Sequence, residues 1–164
     1  MIDSSLLIEK FLQNYRFRVI SSHINGDVMD FGGNDGELGK MVKGKYLVVN
    51  YDHKVMDSTN FDTIVSLAVI EHIEVEEVFK IFSKFKNILK KEGEVVITTP
   101  TIIAKPVLEF LAFLGLVDKE NIDEHKHYWS KKEIFSLAER SGFCVVKYNK
   151  FQFGFNQLAI FKHN

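Results

Sequence analysis

The chain has 164 residues, a length that suits one domain, and 46% of them are hydrophobic, enough to bury a substantial core. Twenty-one Lys and Arg stand against 22 Asp and Glu, a net charge of -1, which argues against a dedicated nucleic-acid binder with its basic excess. Fifteen Phe and only two Pro speak for an ordered, packed chain rather than a disordered one.

In chain order, Ser4 to Tyr15 predicts a helix, with Leu7, Phe11 and Leu12 near one face and Ser4 placed to cap it. "GDVMDFGG" is a short apolar strand running into glycines. "GELGKMV" is a short helix, and "GKYLVVN" is a second strand rich in β-branched residues. "FDTIVSLAV" is a third strand. It leads into a helix over Glu74–Lys91, where Val75, Val78, Phe79, Phe82, Phe85 and Leu89 recur at helical spacing and Gly93 is expected to close the helix. "EVVITTP" is a strand stopped by Pro100. A short apolar helix follows, opened by Pro106 and closed near Gly115. "SKKEIFSLAERSGF" predicts a helix with a capping box of Ser130 and Glu133 and a closing Gly142. "CVVKYNKF" and "NQLAIFKH" then predict a C-terminal hairpin turning near "QFG".

Strands alternating with helices imply a doubly wound α/β sheet, mostly parallel, whose ligands bind beyond the carboxyl ends of the strands. A single domain over 1–164 is expected: N-terminal helix 4–15, a first half 26–91, a segment 101–128 after the central strands, and a hairpin 143–162. The lone Cys144 can form no intramolecular disulfide and no zinc cluster; its apolar neighbours predict a buried strand position. "MIDSSLLIEK" lacks a basic leader followed by a long apolar run, so no secretory signal is expected. Ile102–Val117 is interrupted by Lys105, Pro106 and Glu109, so no membrane span is expected and a cytoplasmic location is the default.

The stretch "VMDFGGNDGELGK" joins a strand, an acidic residue, a glycine loop and a helix. Glycines let the backbone approach a ligand, and helix amides favour a negative group. Alone, such a loop reads equally well as a turn. It does not match the G-x-G-x-x-G loop of nicotinamide enzymes, since Asn34 and Glu37 fall on the second and third glycines. With its downstream partners it resembles the class I S-adenosylmethionine-dependent methyltransferases. "DFGGNDG" is similar to their D-x-G-x-G-x-G loop, and "FDTIVSLAVIEHI" to their fourth-strand signature. "ILKKEGEVVITTP" is similar to their L-K-P-G-G segment with its following strand, and "HYWSKKEIFSLAERSGF" to the later helix ending in G-F.

The resemblance implies a Rossmann-like sheet of about six strands with an antiparallel C-terminal strand, S-adenosylmethionine as cofactor and methyl transfer to a small-molecule acceptor. It implies that Asp30, Gly32, Gly33, Asn34 and Gly36 hold the methionine part of the cofactor. Asn50 falls where the family has the acid that grips the ribose hydroxyls, with Asp52 as a substitute. Leu67 and Ala68 fall beside the cofactor, and Asp57 is a poor match to the adenine-contacting acid. About a dozen residues between Asn50 and Phe61 are too few for helix, strand and helix, so the family's third strand is expected to be missing or reduced. The face thinned by that loss is expected to be closed by the N-terminal helix or by a partner subunit, a homodimer being one form. Asn34 and Asn50 depart from the pattern, and they keep open a second reading: a non-catalytic methyltransferase-like binding or assembly subunit that has lost strong cofactor binding.

His72 and His125 are the candidate catalytic residues, His72 because it follows the signature strand beside Glu71. His125 and His127, with Tyr128, form "HKHYW"; no third ligand is obvious for a metal, and none is assigned. Thr98, Thr99 and Pro100 end a central strand where a substrate can lie, and Ile102–Val117 falls where the family inserts a substrate cap. "KFQFGFNQ" is an aromatic turn better explained by a packed hairpin than by stacking of bases, since no basic excess accompanies it.

Overall fold

A computed structural model of the chain describes residues 4–50, 60–113 and 125–164. Its helices are α1 (Ser4–Ile20), α2 (Val75–Ile88), α3 (Ala104–Phe113) and α4 (Lys131–Arg140). Its strands are β1 (Val28–Phe31), β2 (Tyr46–Val49), β3 (Phe61–Leu67), β4 (Leu89–Pro100), β5 (Phe143–Phe151) and β6 (Asn156–His163). They form one six-stranded sheet in the order β2-β1-β3-β4-β6-β5. β1 pairs in parallel with β2 and β3, and β3 with β4, while β6 lies antiparallel to both β4 and β5. Strand order therefore reverses between β1 and β3, and the crevice at such a reversal is where open α/β sheets bind ligands. Among the described residues β2 is the outer strand on the β1 side of the sheet, so the expected third strand has no counterpart there.

The sheet is buried on both faces because its central strands are apolar at nearly every position. Met29, Phe31, Ile64, Val95, Ile97, Ala159 and Phe161 face α2 and α4. On α2, Val78, Ile81, Phe82, Phe85 and Ile88 recur at three- and four-residue steps and make one buried stripe. The opposite parity, Val28, Val65, Val96, Leu158 and Ile160, packs with Ile20, Phe17 and Val19 of α1 and with Leu38. α1 thus runs five residues past the expected helix, since Phe17, Val19 and Ile20 cover the face left thin. Among the described residues, no helix is long and apolar enough to cross a membrane.

Two expectations are corrected. Gly93 does not close α2: the helix ends at Ile88, and Leu89 turns to extended backbone (φ -81°, ψ 134°) to open β4. Gly93 lies inside β4, where a Cβ would come within 2.8 Å of Leu89 Cδ1 and 2.9 Å of the Asp62 carbonyl, so close packing explains the glycine. Cys144 is not a core residue. Alternation along β5 buries Phe143 and turns the thiol outward, where it is exposed.

Candidate functional site

The glycine loop leaves β1 at the reversal point. Gly32 adopts φ +80°, a conformation L-residues rarely take, and its N–H donates to the Val49 carbonyl at 2.9 Å. Gly33 lies over the Asp30 carboxylate so closely that a Cβ would sit 2.3 Å from Oδ2. Asn34 takes φ 45°, which Asn tolerates better than most residues, and its N–H donates to Asn50 Oδ1 at 3.1 Å. The residue at the end of β2 therefore holds the loop. Gly36 N–H donates to the Gly33 carbonyl at 2.8 Å. Among the described residues, the N–H groups of Gly33 and Asp35 have no acceptor. Asp30 is buried and accepts from the Tyr46 hydroxyl at 2.5 Å. Burial raises its pKa and the Tyr46 bond opposes the rise; Tyr46 is itself pushed up by burial and by Asp30.

Across the reversal, Leu67 ends β3 and Ala68 follows at φ 55°, its N–H bonded to the Thr98 carbonyl at 2.8 Å. A non-glycine residue in this region costs on the order of 1 kcal/mol, and such strain clusters at ligand sites. Val69 then packs against Gly32 and leads into a single turn, Ile70–His72. Asp52 and Asp57 lie outside the described residues.

That turn carries the second half of the site. Glu71 is 1% exposed and accepts from Thr99 Oγ1 at 3.0 Å, which accounts for the threonine at the end of β4. Burial, the largest cause, pushes Glu71 up to about 7 against the opposing bonds. Its carbonyl receives the N–H groups of Lys126 and His127 at 2.8 and 3.2 Å, which pins the segment before α4 to this turn. The result brings His125 against His72, their ring centroids 4.6 Å apart, and one ligating atom each of Glu71, His72 and His125 lies within 4.8 Å of the others. His125 Nδ1 shares a hydrogen bond with the Tyr128 hydroxyl at 3.0 Å. Burial, and secondarily His72, pushes His125 down to about 4.

His127 does not join them; its Nε2 pairs with Glu133 Oε1 at 3.0 Å, and its ring meets Trp129 edge to face. Sequence reasoning missed two parts of this arrangement. Glu71 was legible only as an acid beside a histidine, and its burial depends on β4. Gln157, buried on β6, donates from Nε2 to the Trp129 carbonyl at 2.5 Å, while Trp129 Nε1 donates to the Ile70 carbonyl at 3.2 Å. Nothing local in the sequence marks that bracket.

Residues 10–148 match the family model described as a methyltransferase domain. No curated protein sequence matches the chain. Among solved structures, the chain is similar to the mitomycin 7-O-methyltransferase MmcR, with a TM-score of 0.67 and 15% identity over 88% of this chain and 52% of that one. It is similar to CalO1, a methyltransferase in calicheamicin biosynthesis in its SAH-bound form, with a TM-score of 0.69 and 11% identity over 95% of this chain and 55% of that one. It is similar as well to a chain of the complex between the Haloferax volcanii Trm112 methyltransferase activator and a methyltransferase, with a TM-score of 0.70 and 11% identity over 98% and 95%. The chain spans about half the length of MmcR and CalO1.

Proposed function

On the premise that the chain belongs to the methyltransferase-domain family, whose cofactor is S-adenosylmethionine, we propose that it transfers a methyl group to a small-molecule acceptor. One observation carries the reading: the glycine loop and the Glu71–His72–His125 cluster stand on the two sides of the reversal between β1 and β3, joined by the Gly32–Val69 contact. The small-molecule chemistry named for MmcR and CalO1 supports the acceptor class.

The loop suits the amino-acid end of the cofactor. The Gly33 and Asp35 amides, without acceptors among the described residues, are donors for a carboxylate, and Asp30 lies beneath them. Asn50 and Leu67–Ala68 would border the ribose and base. The sulfonium supplies the electrophilic methyl, and the protein's task is to hold the acceptor in line with it. His72 and His125 take the acceptor side. His125, pushed down to about 4, is neutral at pH 7 and a weak base, so it is not the group that deprotonates the acceptor.

Calorimetry with S-adenosylhomocysteine tests the reading: micromolar binding is expected, and no heat at millimolar ligand would sink it. One observation favours the non-catalytic alternative. Asn50 Oδ1 is already engaged by the Asn34 amide, and Asp30 by Tyr46, so both polar groups serve the loop's own structure.

A further inference from the structure

Glu71, His72 and His125 bring one carboxylate and two imidazoles together from two separate chain segments. We propose that this cluster binds one divalent transition-metal ion of the zinc class, with a coordination position left open toward the acceptor side. The inference deepens the methyl-transfer reading and rests on it only for what would fill the open position; the ion itself does not depend on it.

The donor chemistry is the first argument. Two imidazole nitrogens and a carboxylate oxygen form a three-ligand set that zinc accepts when a fourth position is kept for water or substrate. Ligand bonds of about 2.1 Å place neighbouring donors roughly 3.4 Å apart around a tetrahedral ion. The donors already lie within 4.8 Å of one another, so at most about 1.4 Å separates them from that spacing.

The surroundings are the second argument. Metal-binding side chains are held by outer hydrogen bonds that fix which atom points at the ion. His125 has such a partner in Tyr128, at Nδ1, and Glu71 has one in Thr99, at Oε2. The two bonds from Lys126 and His127 to the Glu71 carbonyl fix the backbone that carries His125 relative to the backbone that carries Glu71 and His72. Burial also differs across the set. Glu71 is enclosed, while both histidines keep partial exposure, so the ion would be anchored on the protein side and reachable from the other.

The test uses the tag-free chain, stripped with chelator and titrated with Co2+, whose visible absorption reports nitrogen and oxygen coordination. Saturation at one equivalent and displacement by Zn2+ are expected. His72→Ala, His125→Ala and Glu71→Gln should each weaken binding roughly tenfold or more. His127→Ala should titrate like the wild type. Co2+ should also broaden the His72 and His125 ring resonances of the wild-type protein before any other histidine, a readout that needs no variant to fold. Absence of a cobalt spectrum at millimolar Co2+, or a spectrum that survives His125→Ala and is lost in His127→Ala, overturns the proposal. S-adenosylhomocysteine heat on the stripped protein is read separately, so the metal site and the methyl-transfer reading fail independently.

Discussion

Asn50 accepts from the Asn34 amide at 3.1 Å, so the residue at the end of β2 shapes the loop before it meets any ligand. A carboxylate has two oxygens. Asp at this position can keep the loop bond on one and accept from a ribose hydroxyl on the other, with charge assistance. Asn50→Asp should therefore tighten S-adenosylhomocysteine binding several-fold, about 1 kcal/mol, by calorimetry. Weaker binding would mean that the amide is matched to its ligand. Glu71 offers a second test, on stability. Its folded pKa of about 7 lies above the usual 4.5, so between these values the folded state keeps a proton that the unfolded state releases. Stability from this group is full below about 4.5 and lost as pH rises through about 7. His125, at about 4 instead of 6.5, acts with the opposite sign and loses stability as pH falls through that window. Glu71→Gln can still accept from Thr99 but never ionises, which isolates the first effect. In chelator-treated protein its melting temperature should exceed the wild type's by several degrees at pH 8, and the gap should close toward pH 5. A gap independent of pH would remove the buried carboxylate from this account.

Among the elements, α4 shows what a local rule can decide. Ser130 Oγ accepts from the Glu133 amide at 3.3 Å, and Glu133 Oε2 accepts from the Ser130 amide at 2.8 Å, the reciprocal box that the spacing in the sequence predicts. Ser130→Ala should cost about 1 kcal/mol in urea unfolding with an unchanged slope; a cost near zero would mean solvent caps the helix equally well. The apolar stripe of α2 and the glycines at the end of β1 were legible for the same reason, since neighbours in sequence fix them. The end of α2 was not. Leu89 leaves the helix to pair with Phe61 on β3, and no signal near Leu89 announces that partner. The same holds for Cys144: apolar neighbours predict burial, but the face it takes depends on pairing with Lys162 on β6. The site divides along the same line. The glycine loop reads as one word in the sequence, whereas the meeting of Glu71 with His125 depends on two backbone bonds to the Glu71 carbonyl and on Thr99 from a third segment.

Across the whole molecule, the candidate site draws on both faces of the sheet. Ile70 and Trp129, which flank the Glu71 cluster, belong to the core under α2 and α4. Leu38, in the turn Glu37–Met41 that follows the glycine loop, belongs to the core under α1. The first face is closed by five buried side chains of α2 together with Ile134, Leu137 and Ala138 of α4. On the second, the described side chains of α1 contribute Ile20 in full and Phe17 and Val19 in part, with Tyr15 stacked on Phe151. Burial scales with apolar area removed from water, and the described side chains of α1, from Lys10 to Ile20, leave Phe11 and Tyr15 exposed, so this part of α1 should open at a lower free energy than α2. Native-state hydrogen exchange in low denaturant is the measurement. Amides of α1 and of Glu37–Met41 should exchange through a partial opening, while those of α2, β3 and β4 exchange only with global unfolding. Equal protection of α1 and α2 would show that the two faces unfold as one. S-adenosylhomocysteine adds a further arm: a ligand held by the glycine loop stabilises the conformations that contain the loop, so protection should rise first in the Glu37–Met41 turn and α1 and leave α2 at its global limit until the whole protein is stabilised. The turn that follows the glycine loop is thereby expected to open with the α1 face, and the Glu71–His72–His125 cluster to stay closed with the α2 face.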